Sequence, residues 1–230
     1  MKEIFTNFTF FGVVISLMGY ELGVILKRKF RLPVFNPLLV SIIFVIIFLL
    51  FFRIDYATYN EGAKYLSYFL TPATVCLAIP LYQQMELLKK NMLAVMLGIL
   101  SGVLASLTST LLFAVIFGMS HKEYVTMLPK SITTAIGMAV SEETGGIVTI
   151  SIASIILTGI IGNIIAETVC KLFRIEEPIA KGVAIGSASH AIGTVKAMEM
   201  GEIEGAMSSL AIAVAGLITV VGASVFVQFL

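Results

Sequence analysis

The sequence has few charged residues and no tryptophan. Asp, Glu, Lys and Arg make up 13% of the 230 residues, whereas soluble domains carry about 25%. The formal net charge of +1 gives no indication of a nucleic acid or another polyanionic partner. Without tryptophan, any aromatic belt at a membrane surface must consist of tyrosine and phenylalanine. The composition therefore argues against a soluble domain and against a nucleic-acid-binding protein.

Cysteine and histidine are rare, with two of each. Cys76 and Cys170 lie in apolar stretches and form neither a CxxC pair nor a Cys/His cluster, so the sequence indicates no disulfide framework and no metal site. It also lacks an HExxH motif, a GxSxG motif and a paired-aspartate signature within its apolar stretches. We therefore expect no metal, no cofactor and no enzymatic activity.

Apolar runs fill most of the chain. Hydrophobic residues make up 58% of it and the mean hydropathy is +1.02, values typical of a polytopic membrane protein. We predict an all-α fold in a single transmembrane domain over residues 1–230, with seven or eight transmembrane helices, some of them broken or re-entrant. The continuous spans are expected at 8–25, 38–52, 92–117, 147–170 and 205–230.

The distribution of basic residues predicts an orientation. The densest basic cluster, residues 27–31, follows the first span and is expected in the cytoplasm, which puts the N-terminus outside. With seven spans, Lys171 and Arg174 also lie inside, whereas the acidic 199–204 loop lies outside.

Residues 128–146 (LPKSITTAIGMAVSEETGG) do not form an ordinary membrane helix. They combine Pro129, Lys130 and Gly137 with a dense set of hydroxyl groups in an otherwise apolar stretch. Irregular backbone at membrane depth is tolerated where it is buried in protein or lines a cavity, and transporters build substrate sites from such discontinuous helices. The alternative is a re-entrant or interfacial segment that only packs the helices together. The cost of placing a lysine in a membrane favours a functional segment.

Two further segments are interrupted in a similar way. In residues 65–82, the Thr71-Pro72 pair and Pro80 predict a kinked or unwound helix, because proline removes a helix donor. In residues 178–200, small and polar residues recur at nearly every turn around His190. A lone histidine is often a core residue with its hydrogen bonds satisfied. The neighbouring break and hydroxyl groups make a functional role for His190 equally plausible.

The interrupted segments also predict an internal repeat. Aligning residue 65 with residue 181 superposes two interrupted segments, each followed by a span rich in small residues. Residues 1–118 and 119–230 are thus candidate structural repeats, which we expect to be inverted. Corresponding interrupted segments indicate a transporter site near the membrane midplane.

Three ordered motifs resemble one known family. They are the PKSITT motif at 129–134, TPAT at 71–74 with AIPLY at 78–82, and SHAIGT at 189–194. Together they resemble the LrgB/CidB family over essentially the whole chain. One difference is Ala135, where the family pattern has proline after the Thr-Thr pair. Because alanine does not interrupt a helix, the predicted break is less pronounced here.

The resemblance implies a multi-pass protein of the bacterial cytoplasmic membrane that works with a smaller LrgA/CidA-type membrane protein. The family has been described as antiholin-like, modulating murein hydrolase export and cell lysis. Related members resemble transporters of small carboxylates, namely pyruvate in bacteria and glycolate and glycerate in the plastid translocator.

The leading hypothesis is a secondary transporter or facilitator of a small monocarboxylate. Lys130 would complement the charge of the anion, and hydroxyl groups would donate hydrogen bonds to its carboxylate. His190 could couple proton movement to transport. The predicted substrate-binding residues are Thr71, Thr74, Lys130, Ser131, Thr133, Thr134, Ser189, His190 and Thr194. The alternative is an antiholin-like regulator without transport of its own, which assembles with a holin-like partner through small-residue helix faces. A homo-oligomer in the lipid bilayer is expected in either case.

Overall fold

Helices account for 85% of the structure, a computed structural model that describes residues 8–30, 32 and 35–230. The described residues contain no strand, in agreement with the predicted all-α fold. The side chain of Thr74 lies outside the description. By its internal contacts the chain divides into two compact units, one ending at Cys76 and the other comprising Leu77–Leu230.

The described part of the first unit holds four helices. They are α1 (Phe11–Phe30), α2 (Pro37–Phe52), α3 (Tyr56–Ser67) and α4 (Leu70–Cys76). The second unit holds seven, followed by a 3₁₀ turn at Val227–Phe229. They are α5 (Ala78–Gln83), α6 (Met85–Phe117), α7 (His121–Met127), α8 (Thr134–Glu143), α9 (Val148–Leu172), α10 (Pro178–Met200) and α11 (Glu202–Phe226).

Three of these helices are long and apolar enough to cross a membrane. They are α6, α9 and α11 with its 3₁₀ extension; counting the bent pair Tyr56–Ser67 and Leu70–Gln83 as one span makes four. Helix α2 is apolar but shorter. The described residues therefore contain three or four spans by length and composition, fewer than the predicted seven or eight.

The interruption in residues 65–82 lies at different positions from those expected. Helix α3 ends before Tyr68, and Leu77 separates α4 from α5. Pro72 and Pro80 each occupy the third position of the helix that follows a break. Proline is tolerated in a first turn, where its missing N–H has no partner in the helix. The two prolines therefore begin helices instead of interrupting one.

Close helix contacts hold the first unit together. Gly12 on α1 faces the backbone of Tyr59 and Ala63 on α3 so closely that a Cβ atom would overlap it. One turn on, the Ser16 and Tyr59 hydroxyl groups lie 2.7 Å apart. Small residues that let backbones approach are typical of helix pairs in membranes.

In the second unit, α10 is broken at His190. This residue has φ 42° and ψ −144°, a backbone conformation that side chains with a Cβ rarely adopt, and it separates two helical halves. The first half packs on α11 in parallel, since Gly182 lies against the Glu204 carbonyl and Gly186 against Ser208. The predicted break in residues 178–200 is thereby confirmed.

The second half of α10 runs the opposite way along α11. Thr194 and Ser208 share a hydrogen bond of 2.7 Å, and Gly205, one turn earlier on α11, lies against Met198. Because the first half is parallel to α11 and the second antiparallel, α10 is a helical hairpin. It begins and ends at the same end of the second unit.

This hairpin corrects one sequence-based prediction. The 199–204 loop was expected on the opposite side of the membrane from Lys171 and Arg174. The structure brings these groups together. Glu167 contacts Lys171 at 2.9 Å and Lys196 at 3.1 Å, and Lys196 lies 3.6 Å from Glu199 of the loop. The reversal at His190 returns the chain to the end from which it came.

Helices α7 and α8 form a second hairpin, at the other end of the unit. Tyr124 on α7 donates a 2.8 Å hydrogen bond to the carbonyl of Phe226, near the end of α11. The chain leaves Thr126, is non-helical at residues 128–133, and returns along α8 until the Ile147 N–H donates to the Thr126 hydroxyl at 2.8 Å. The predicted break in residues 128–146 is confirmed. The two hairpins therefore enter the second unit from opposite ends.

Candidate functional site

A cavity of about 950 Å³ lies between α6, the 128–133 connection and the first half of α10. We call it the serine cavity. Its polar wall residues are Asn91, Ser101, Ser106, Ser109, Lys130, Ser131, Glu177 and Ser187. Its other wall residues are mainly alanine, glycine and valine. The walls are therefore short side chains that leave the space between the helices unfilled.

Glycines set the distance between the two helical walls. A Cβ atom on Gly98 would lie 3.1 Å from Val183, and one on Gly102 would lie 3.0 Å from the Ser187 hydroxyl. Three wall serines also have an acceptor in their own helix: Ser101 donates to the carbonyl of Gly98 at 2.8 Å, Ser109 to that of Ser106 at 2.9 Å, and Ser187 to that of Val183. These hydroxyl groups are satisfied within their own helix and still present lone pairs to the cavity.

Lys130 provides the positive charge of this cavity. Its Nζ donates to Ser106 Oγ at 2.9 Å and to Ser131 Oγ at 3.4 Å, and the two serine oxygens lie 2.9 Å apart. No carboxylate of the described residues lies within 4 Å of Nζ. An ammonium group has three donors, so Lys130 keeps hydrogen-bonding capacity for an anion. Burying a cation without a counter-ion is otherwise unfavourable.

A chain of hydroxyl groups fixes the hairpin that carries Lys130. The Ser141 and Ser151 oxygens lie 2.7 Å apart, and Ser151 donates to the Thr126 carbonyl at 2.7 Å. Because the Ser151 proton is used in this bond, Ser141 is the donor in the first. Both serines are fully buried. The helix α8 begins at Thr134 with Ala135 second, so the break does not depend on proline after the Thr-Thr pair.

Ser189, His190 and Thr194 lie behind the serine cavity, in the contacts of α10 with α9 and α11. All three are buried, and none lines the cavity. His190 Nε2 lies 2.9 Å from the carbonyl of Ile155. Since a carbonyl only accepts, Nε2 carries a proton and donates. Thr194 donates to the His190 carbonyl at 3.0 Å.

The other predicted residues have separate environments. Ser131 lines the serine cavity beside Lys130. Thr133 and Thr134 are half-buried at the start of α8, outside the cavity wall. Thr71 is exposed on α4, in the first unit, and the side chain of Thr74 is not described. Substrate binding by these residues remains a prediction.

Sequence reasoning missed the serines of the α6 and α10 walls. Ser106 and Ser109 belong to a span noted only for its small residues, and neither they nor Ser187 are among the predicted substrate-binding residues. The available signal was the repetition of hydroxyl groups at Ser101, Ser106 and Ser109 along one long apolar helix. Because serine is also a common contact residue in membrane helices, this repetition does not distinguish a cavity from a helix interface.

Comparison with known proteins decides the family. The profile of the LrgB-like family matches residues 16–229. This chain belongs to the LrgB-like family. Its resemblance to LrgB/CidB proteins, based on three motifs, is thereby confirmed.

Curated LrgB relatives match along nearly their whole length. Proteins named antiholin-like protein LrgB from Bacillus mycoides (strain KBAB4), Bacillus cereus (strain B4264) and Bacillus anthracis (strain CDC 684 / NRRL 3495) are each 38% identical over 222 residues. The alignments cover 96% of this chain and 96% of each relative. No solved structure matches. Membership of this family, together with the apolar helices, identifies a multi-pass membrane protein.

Proposed function

We propose that this LrgB-family protein is a transporter or facilitator of small monocarboxylates such as pyruvate or glycolate. The observation that carries the proposal is Lys130: a half-buried ammonium group in a cavity wall, bonded to two serines and to no carboxylate of the described residues. A small anion is the ligand that this arrangement complements.

The shape of the serine cavity supports a passage. Its wall on α6 extends from Asn91 to Ser109, about 27 Å at about 1.5 Å per residue. Glu177, at the outer end, is exposed, and Lys130 lies beside Ser106 towards the inner end. An anion that enters at the outer end would thus reach the cation at membrane depth.

The basic residues orient this passage. Lys89, Lys90, Lys171, Arg174 and Lys181 lie at or near the ends of α6, α9 and α10 that surround the outer end of the cavity. Positively charged residues concentrate on the cytoplasmic side of membrane proteins. We therefore propose that the serine cavity opens to the cytoplasm.

Weak binding suits such a passage. A hydrogen bond to a charged group contributes about 1.5–3 kcal/mol, and a Kd of 1 mM corresponds to about 4 kcal/mol. Two or three donors at Lys130 and the adjacent serines therefore suffice for millimolar binding, which permits release.

The experiment is uptake of radiolabelled pyruvate, lactate and glycolate into proteoliposomes under an imposed pH gradient. The protein is tested alone and with an LrgA/CidA-type partner. We expect saturable uptake that is lost in Lys130→Ala and retained in Lys122→Ala, an exposed lysine on α7. Full activity in Lys130→Ala would refute the site, and absence of uptake by folded wild-type protein in both preparations would refute the function.

The second candidate is an antiholin-like regulator that acts without transport. It is supported by the name of the relatives, antiholin-like protein LrgB, which favours it more directly than it favours transport. The separating test is complementation of a strain that lacks the gene, with murein hydrolase release as the readout. Normal regulation by a Lys130→Ala protein that has no uptake would establish the second candidate.

Several finer features belong to the same proposal. We propose that the protein resides in the bacterial cytoplasmic membrane, crosses it seven or eight times with an internal inverted repeat, and is not an enzyme. We further propose that it forms homo-oligomers and acts with an LrgA/CidA-type protein. Cross-linking of the two proteins in native membranes tests the partnership.

A further inference from the structure

A second cavity, of about 530 Å³, lies at the end of the second unit where α9 and both halves of α10 end. We call it the charged cavity. Its charged wall residues are Glu167, Lys171, Arg174, Glu176, Lys181, Lys196, Glu199 and Glu204. Its volume falls within the range of about 300–1,000 Å³ that small-molecule sites occupy. It shares Ile175 with the outer end of the serine cavity, and Lys130 does not line it.

Some of these charges neutralise one another. Glu167 contacts both Lys171, at 2.9 Å, and Lys196, at 3.1 Å. Lys196 also lies 3.6 Å from Glu199. These four side chains form one ion-pair network at the wall.

Among the acidic residues outside this network, Glu176 is exposed, whereas Glu204 is buried. It is 8% exposed, and its carboxylate has neither a hydrogen-bond donor nor an ion-pair partner among the described residues. It folds back against Gly201, where a Cβ atom would overlap Oε2. Every fully buried side-chain oxygen of the described residues has a hydrogen-bond partner. Because the Glu204 oxygens have none, they are not fully buried and face the cavity. A cation in the cavity would have direct access to this carboxylate.

Two cations of the same wall are also without an acidic partner. Arg174 and Lys181 have no carboxylate within 4 Å among the described residues. Among the described residues, the cavity thus presents one buried unpaired carboxylate, Glu204, and two unpaired cations, while the unpaired Glu176 is exposed. This charge pattern complements a zwitterion, with an ammonium group at Glu204 and an anionic group at Arg174 and Lys181.

The location favours a lipid over a soluble zwitterion. Helix α9 is long and apolar enough to cross a membrane, and it ends at Leu172, directly before the cavity. Leu172 and Phe173 are 75% and 69% exposed, which provides an apolar surface for acyl chains next to Arg174. Basic pockets at this level of membrane proteins bind the phosphate groups of anionic lipids, and Arg174 and Lys181 could hold a phosphate in the same way.

We propose that the charged cavity binds the headgroup of phosphatidylethanolamine, with Glu204 accepting hydrogen bonds from the ammonium group and Arg174 and Lys181 holding the phosphate. The ethanolamine ammonium donates hydrogen bonds, whereas the quaternary choline ammonium cannot. Phosphatidylglycerol offers a phosphate but no cation for Glu204.

The test measures the melting temperature of detergent-purified protein with added phosphatidylethanolamine, phosphatidylglycerol or phosphatidylcholine. At saturating lipid we expect phosphatidylethanolamine to raise the melting temperature by about 5 °C and the other two lipids to raise it by much less. Equal stabilisation by phosphatidylglycerol would show that phosphate alone is recognised and would overturn the proposal. Stabilisation by soluble phosphoethanolamine without stabilisation by the lipid would overturn the choice of ligand.

Two variants separate binding from structure. Glu204→Gln removes the unpaired charge, so its lipid-free melting temperature should not fall, yet its response to phosphatidylethanolamine should disappear. Glu202→Gln, an exposed glutamate in the same first turn of α11, should respond as the wild type does. A preserved response in Glu204→Gln would refute the assignment. If that variant does not fold, Lys181→Met tests the phosphate side, and an unchanged response there would contradict the proposal equally.

Discussion

Ser106 orients the ammonium group of Lys130, and its removal should weaken anion uptake. Its Oγ accepts the 2.9 Å hydrogen bond from Lys130 Nζ and lies 2.9 Å from the Ser131 hydroxyl. Ser106→Ala deletes both contacts without adding volume or changing charge. Lys130 would keep only the longer 3.4 Å contact with Ser131, so its position would no longer be defined.

The size of the effect follows from the bond that is lost. A hydrogen bond between a neutral and a charged group contributes about 1.5–3 kcal/mol, and each 1.4 kcal/mol corresponds to a factor of about ten in affinity. We expect the half-saturation concentration for pyruvate to rise about tenfold in Ser106→Ala. The assay is initial uptake into proteoliposomes over a range of pyruvate concentrations, with equal amounts of folded protein confirmed by size-exclusion chromatography.

Ser109→Ala is the matched control. Ser109 lies on the same wall, but its hydroxyl donates to the Ser106 carbonyl at 2.9 Å within α6 and makes no contact with Lys130. The control should retain the wild-type half-saturation concentration, and Ser106→Thr, which restores a hydroxyl group, should recover most of it. Equal losses in Ser106→Ala and Ser109→Ala would show that cavity polarity matters and that orientation of Lys130 does not.

Three further predictions concern stability, measured by melting temperature in detergent. Ser151→Ala should destabilise the α7–α8 hairpin by about 1–3 kcal/mol, because it leaves a buried carbonyl unpaired; an unchanged melting temperature would contradict this. Gly159→Ala should also lower the melting temperature, since the new Cβ would lie 2.6 Å from the His190 ring. Adding His190→Ala should recover part of this loss. If the losses of the two substitutions simply add, the steric overlap is not their cause. Hydrogen bonds from Ser120 lower the pKa of Glu123 from 4.5. Because the folded pKa is the lower one, this stabilisation is present above pH 4.5 and disappears as the pH falls through the folded pKa. The destabilisation in Ser120→Ala should therefore shrink at acid pH.

The position of the broken segments could be predicted from the sequence because it depends on local composition. Lys130 and a run of hydroxyl groups cannot continue an apolar membrane helix, and residues 128–133 are indeed non-helical. The ends of several helices are also locally encoded. Asn36 accepts the N–H of Leu38 at 2.9 Å at the start of α2, and Gly118, with φ 61°, ends α6.

The reversal of direction within α10 could not be predicted in the same way. No proline or glycine occupies position 190, and the positive φ of His190 is maintained by contacts with a different helix. Its ring donates to the Ile155 carbonyl at 2.9 Å and fits only because residue 159 is glycine. Such a tertiary constraint overrides helix propensity, and a single sequence does not reveal which helix supplies it.

The same limitation applies to the serine cavity. Ser106 and Ser187 each lie in an apolar helix, where a serine is usually a contact residue. Their role as wall residues depends on the parallel packing of α6 with the first half of α10, in which Gly102 faces Ser187. Lys130 was identifiable because a buried cation is unfavourable in every arrangement, whereas a small hydroxyl group is tolerated in most.

The two hairpins meet at one residue of α9. The Ile155 side chain lies where a Cβ atom on Gly137 of the first hairpin would be, and its carbonyl accepts the bond from His190 of the second. Ile155 is fully buried, so neither contact can change without displacing the other. His190→Ala can therefore disturb Lys130 without His190 touching an anion. Gly137→Ala perturbs the same contact from the other hairpin and is the control. A loss of uptake in His190→Ala supports the predicted substrate or proton role of His190 only if uptake stays intact in Gly137→Ala.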